Sequence, residues 1–425
     1  MLTFAASLRD TCQNIQNRKS SRSRPVRGEQ AMRRCCSAVA VVLCALGIGN
    51  HAIAAVVIDP CAEIKRFPTA TEVIVPDADH QTIQEGICDL MDGGTLYVLP
   101  GTYAERIIIL GKAVEIRGVG NEDGPQDWPV IQQPVPTEVV AADEAQGVIT
   151  VAGGASLTLR MLRIIGGDAG LLVQEPSGPV ELKHAVLEQN GRGILHFSSG
   201  KLSIKHTDFY KQLWNGISYV PGAITPIPPD ICGGLEVSHG VLGITERAGI
   251  YARGCYISID HTSINFAKGG GIVALQCGLV VKNVEVNFAN YAGILMVDTL
   301  ADIENNTINF TQAGENDRLG DAFTVWTEAS TGLPGTPPSN VYFENNETYF
   351  SQRAALSNFG SVVTLKNNLF AYQGFDIGAE GWLGFVEIFN DLGGNECVNL
   401  AHPNDTNCLA KSYQLTSPPP FGGLE

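Results

Sequence analysis

The feature that most constrains this chain is an internal period. Glycines opening a short apolar run recur at Gly147, Gly170, Gly193, Gly216, Gly249, Gly271 and Gly293, in steps of 23, 23, 23, 33, 22 and 22 residues. A second column runs through His184, His206, His239, His261, Asn283, Asn305, Asn345, Asn367 and Asn390. A third is aromatic, at Phe266, Phe288, Phe310, Phe350 and Tyr372. Three columns held in one register define a structural unit that stacks on copies of itself.

The content of the unit selects the architecture. Each contains two or three short alternating stretches, such as Tyr256–Asp260, Ser263–Phe266 and Ile272–Leu275, and no 3.6-residue periodicity. A leucine-rich repeat of similar length would need a recurrent Leu framework, which is absent. The expected fold is therefore all-β: a right-handed parallel β-helix of ten or more turns, with successive turns ~4.8 Å apart. Phe266, Phe288 and Phe310 are expected to stack inside the coil. The His/Asn column is assigned to a tight turn that needs positive φ, which Asn, Asp and His tolerate best among non-glycine residues. Because Asn continues the column without a break, the four histidines are read as turn-formers rather than metal ligands. The residue before each, running Lys183, Lys205, Ser238, Asp260, Lys282, Glu304, Glu344, Lys366, alternates in sign as exposed cross-strand pairs do.

Residues 1–54 differ from the rest. They carry eight basic and two acidic side chains, and Met32-Arg33-Arg34 leads into an apolar run from Ser37 to Ile48 and then Ala52-Ile53-Ala54. That order is a secretory leader cleaved after Ala54, with residues 1–31 an over-extended start. The run is too short for the ~20 residues of a membrane span, so no membrane insertion of the mature form is expected. The remaining residues hold 20 basic against 42 acidic side chains, a net of -22. Such a body repels nucleic-acid phosphates and anionic lipids. Secretion or periplasmic residence follows from the leader. It also suits oxidised cysteines: Cys61 with Cys88, Cys397 with Cys408, and two of the three stacked residues Cys232, Cys255 and Cys277. No zinc spacing appears among them. The acidic surface carries no clustered Asp motif that specifies Ca²⁺, and no cofactor is expected.

The segments Thr82-Ile83-Gln84-Glu85-Gly86, Gly93-Gly94-Thr95-Leu96-Tyr97-Val98, Pro100-Gly101-Thr102-Tyr103-Ala104-Glu105 and Val114-Glu115-Ile116-Arg117-Gly118 resemble the start of the pectin-lyase-like β-helix superfamily. The resemblance implies a short helix closing the N-terminal end of the coil, and with the repeats it covers about residues 70–395. The expected organisation is a lead-in over 55–81, the β-helix over 82–395, and a disulfide loop and tail over 396–425. The resemblance does not carry over to one catalytic family. Gly101–Glu105 matches one pectin methylesterase pattern without the later elements of that family. Ile259-Asp260-His261 is similar to a pectate-lyase motif, but no Arg-x-Pro-x-x-Arg follows it. The polygalacturonase blocks are missing.

Proline-rich insertions at Pro221–Cys232 and Ser330–Asn340, and a third at Gly314–Asp321, flank the strand that follows the Gly column. Loops rising from a rigid coil would bound a cleft there. Ile250, Ala252, Ile272 and Ala274 are assigned to the inside, and Tyr251, Arg253, Val273, Leu275, Leu295, Val297, Thr324 and Trp326 to the outside. Arg247, Lys268 and Tyr291 stand at the preceding corner as candidates for catalysis on a uronate, binding its carboxylate and supplying a base. Tyr251, Arg253 and Trp326 are candidates for substrate binding, the two aromatic residues by stacking on sugar rings. The competing reading is a solvated edge beside an apolar strip. Two functions stay open: a lyase or hydrolase acting on polysaccharide, or a non-catalytic β-helix that binds it or serves as a structural module. N-terminal sequencing of the exported protein is expected to begin near Ala55, and a product that retains residues 1–31 contradicts the leader.

Overall fold

In a computed structural model, the structure describes residues 59–64, 68–122, 124–221, 232–314, 319–328, 338–382, 385–398, 408, 410–412 and 414–415. The leader and the centres of all three insertions lie outside the described residues. Among the described residues, two parallel sheets wind through the body, one of 22 strands and one of 12. Each strand pairs with the equivalent strand one turn away, as Ile272 does with Ile250 on one side and Ile294 on the other. This is a parallel β-helix.

The interior is built from columns of one residue per turn. Leu159, Leu182, Ile204, Val237, Ile259, Val281, Ile303, Phe343 and Leu365 form one such column. All nine are buried, and each contributes about 1.5–3 kcal/mol by leaving water. The glycine column is steric in origin. A Cβ on Gly193 would lie 2.4 Å from the carbonyl oxygen of Gly216, and one on Gly271 would lie 2.5 Å from that of Gly293. Gly147 is one residue out of this register, since it pairs with Ala169, which leaves Val148 beside Gly170.

A helix at Ile83–Asp89 closes the N-terminal end. Thr82 accepts from the Glu85 backbone N–H and Glu85 reaches back to the cap backbone, a reciprocal capping box. Glu105, from the next turn, accepts the Ile83 and Gln84 amides, and a disulfide joins Cys61 to Cys88. The coil starts earlier than the sequence suggests, because Ala70–Val75 already pairs with Leu90–Val98. It also runs further, since Glu396–Val398 adds a strand to Leu369–Ala371. Cys397 pairs with Cys408, and Cys232 with Cys255. Cys277 stays a buried thiol, donating to the Leu275 carbonyl at 3.1 Å.

The turn columns hold two corrections. His184, His206, His239, His261, Asn283, Asn305, Asn345 and Asn367 all have φ between 44° and 56°, and the four imidazoles stack 4.9–5.0 Å apart. Asn390 leaves the column: it pairs with Thr364, and the Asn367 amide is met by Gly393 instead. The aromatic column lies outside the coil rather than inside it. Phe266, Phe288, Phe310, Phe350 and Tyr372 all sit at positive φ, between 55° and 64°, and that conformation at a turn aims the side chain at solvent. The expected charge pairs are present on the surface, with Lys282 2.8 Å from Glu304 and Lys366 2.6 Å from Glu344.

A buried amide ladder occupies the residue after the turn residues Asn305, Asn345 and Asn367. Asn306 donates to Asn346, Asn346 to Asn368 and Asn368 to Asn395, at 2.9, 3.0 and 2.9 Å. Each of the three donors also bonds a backbone carbonyl one turn away. The paired Asn-Asn steps thus divide the work: the first residue makes the turn and the second locks it. Replacing Asn346 with Ala leaves buried partners unpaired and is expected to cost about 2–4 kcal/mol. Asn305→Gly is expected to stay within about 0.5 kcal/mol, because glycine also accepts positive φ. Chemical denaturation of both variants checks the contrast, and equal losses contradict it.

Candidate functional site

The outward face of the 12-stranded sheet is not an open floor. Tyr251, Val273, Leu295, Val297 and Trp326 are all buried, in one cluster with Ala248, Leu275, Ala292 and Phe359. Among the described residues, Val220, Tyr291, Trp382 and Leu415 pack against it. The physical reason is the run of apolar residues on the outside of these strands, which must be covered. The expected role of Tyr251 and Trp326 as sugar-stacking surfaces is corrected accordingly: both are core residues of an outer layer. Thr324 is buried too, and donates to Asp321 at 3.0 Å. Asp321, fully buried, receives a forked pair of hydrogen bonds from Arg353 at 2.7 and 2.6 Å.

The corner that precedes this sheet has a different character. Trp214, Arg247, Gly269 and Tyr291 fall at one position on four consecutive turns, as the backbone bonds from Arg247 to Trp214 and Gly269 to Arg247, and the neighbouring strand register, require. The Arg247 guanidinium lies 4.2 Å from the centre of the Trp214 ring. Arg192, buried and donating to the Val140 carbonyl at 3.1 Å, approaches the same ring at 5.8 Å. Cation–π attraction fixes Arg247 without neutralising it. Lys268 is exposed and paired with Glu246 at 2.6 Å. A surface pair of this kind is weak and readily exchanged for another anion. The position between Arg247 and Tyr291, on the intervening turn, is taken by Gly269. It is glycine because a Cβ there would meet the Arg247 Cα at 2.9 Å.

The structure thus brings Arg247, Lys268 and Tyr291 to one corner and separates Arg253 and Trp326 from them. The strand Ala248–Arg253 lies between, and its five residue steps span ~17 Å. The far edge holds Asp298, which sequence reasoning missed. Burial pushes its carboxyl up to about 6, against the lowering effect of the Glu328 amide, which donates to it at 2.9 Å. Its signal in the sequence is slight: a lone Asp directly after the apolar strand Ala292–Val297, at a corner with positive φ. A pair of neighbouring cations, Arg247 and Lys268, and a carboxyl raised by burial, Asp298, therefore sit at opposite edges of one sheet. Among the described residues, no group of three or more His, Cys, Asp or Glu is placed to hold a metal ion.

No family model matches the chain, and no curated protein does. Among solved structures, an alginate lyase from Paenibacillus sp. str. FPU-7 aligns over 74% of this chain and 100% of its own, at 15% identity and a TM-score of 0.43. The catalytic unit of a GH87 α-1,3-glucanase from Streptomyces thermodiastaticus strain HF3-3 aligns over 74% of this chain and 64% of its own, at 12% identity and 0.48. A pectin methylesterase from Aspergillus niger aligns over 68% and 88%, at 12% and 0.38. At such identities the likeness concerns the winding of the chain, and the architecture stands on the strand pairing above.

Placing Trp326 in a packed outer layer has a measurable consequence. Trp326→Ala is expected to destabilise the protein by about 3–5 kcal/mol, read as a lowered thermal midpoint. A variant that melts like the parent contradicts the buried assignment.

Proposed function

We propose that this is an exported β-helix protein that holds an acidic polysaccharide along the Arg247 corner. The observation that carries the reading is the Trp214–Arg247 stack with Lys268 beside it, a local positive strip on a chain of net charge -16. Carboxylates of a uronate chain would replace Glu246 on Lys268 and meet the stacked guanidinium. A long polymer suits a surface that repeats at a fixed rise. Export rests on the basic, apolar and small-residue order of the leader and on three disulfides. Glycan-acting names among the fold neighbours accompany the reading without carrying it.

A lyase or hydrolase activity is the second reading, and Asp298 is the observation that favours it. A carboxyl pushed up to about 6 by burial is suited to acid–base work near neutral pH. Its distance from the Arg247 corner requires a glycan crossing the edge of the sheet, not one lying in the corner alone.

Isothermal titration with polygalacturonate and with alginate tests the binding reading. Arg247→Ala combined with Lys268→Ala is expected to weaken binding at least tenfold with the melting temperature nearly unchanged, since Lys268 is exposed and Arg247 half-buried. Arg253→Ala, at the far edge, is expected to bind like the parent. Unaltered binding by the double variant removes the corner from consideration.

A further inference from the structure

The aromatic column on the outside of the coil has no role in the corner just described. Phe266, Phe288, Phe310, Phe350 and Tyr372 are 53%, 42%, 41%, 46% and 40% exposed. Their centroids are 4.9–5.2 Å apart and their planes lie within 17° of parallel. That spacing exceeds the ~3.5 Å at which carbons touch, so each ring is slipped over the next and a strip of every face looks outward. The fold does not ask for aromatic residues here. The same column holds Gln189, Lys211 and Ile244 on earlier turns, at φ of 55°, 54° and 53°, and bulky residues are disfavoured in that region. Five consecutive turns nevertheless accept the strain and expose apolar rings.

The flanks say what such a strip can hold. On one side Asn265, Asn287 and Asn309 form their own amide ladder, with Asn287 donating to Asn265 at 3.0 Å and Asn309 to Asn287 at 2.9 Å. On the other side stand Gln312 and Gln352, both exposed. Amides at the period of the rings offer donors and acceptors to hydroxyl groups, and the slipped faces offer apolar contact to the C–H face of a sugar. Glu285 and Glu347 lie one strand position further out, which disfavours an anionic polymer. A second copy of this chain is disfavoured as well, because two bodies of net charge -22 repel.

We infer that the aromatic ladder is a second glycan-binding strip, selective for a neutral polysaccharide lying along the coil axis. It rests on the glycan reading above, and it adjoins that corner, since Phe266 is two residues from Lys268. Affinity electrophoresis of the full protein, in gels containing either a soluble neutral β-glucan or polygalacturonate, tests it. The parent is expected to be retarded by both. Phe288→Gln combined with Phe310→Gln is expected to weaken neutral-glucan retention at least tenfold and leave polygalacturonate retention unchanged. Phe288→Tyr with Phe310→Tyr is expected to retain both. Phe310→Asn, which suits positive φ, replaces the Gln pair if that pair fails to fold, and should weaken neutral-glucan retention alone. Absence of neutral-glucan retention in the parent overturns the inference. So does unchanged retention in the Gln pair with only its melting temperature lowered, or parent dimers in light scattering that the Gln pair dissolves. Retention by neutral glucan without polygalacturonate supports the ladder and removes the Arg247 corner.

Discussion

Everything in this protein depends on the backbone hydrogen bonds that join each strand to its equivalent one turn away. They set a rise of ~4.8 Å and turn every sequence position into a column. Once that rise is imposed, side chains must stack on their own kind, and each column succeeds or fails as a unit. Apolar columns fill the coil and amide columns lock the turns. Where a Cβ would strike the next carbonyl, only glycine fits. A fault in one rung is felt by both neighbours, because the same bonds hold it from above and below.

The same constraint distributes function. A parallel coil has no natural cavity, so a site must be built on its outside, at corners and where strand faces escape cover. The face of the 12-stranded sheet, which insertions flank, is given over to a packed outer layer. The corner before it keeps two cations, Arg247 stacked on Trp214 and Lys268 paired with the exposed Glu246. Arg353 shows the opposite case. It lies on the same side of the sheet, but buried Asp321 takes both arms of its guanidinium, so it serves the fold. Exposed cations with replaceable partners are what distinguish a binding surface from a structural ion pair.

Much of the architecture is legible in the sequence because a period is a global property. The Gly, His/Asn and aromatic columns declare the repeat, and positive φ explains the turn column residue by residue. What the sequence hides is direction. A strand of period two tells inside from outside only relative to its neighbours, and at a turn that alternation is broken. The phenylalanines were thus expected inside on hydrophobicity alone, although positive φ aims them outward. Asn390 follows Asn367 by 23 residues, close to the period, but the register there sets it beside Thr364, three residues before Asn367. Tyr251 and Trp326 were rightly placed outside the coil, but whether an outward residue is covered depends on segments far along the chain, such as Leu415. Asp298 escaped notice because its character comes from burial, which no local pattern reports.

The central claim is that a polysaccharide is gripped at a corner of the coil and not on its apolar face. Hydrogen–deuterium exchange of the protein with and without a short oligogalacturonate measures this directly. Protection concentrated in peptides spanning residues 246–247, 268–269 and 290–291, with none added across the already buried centre of strand Ala292–Val297, is the predicted result. Protection centred on the Asp298 edge, or absent from all three corner peptides, would contradict it.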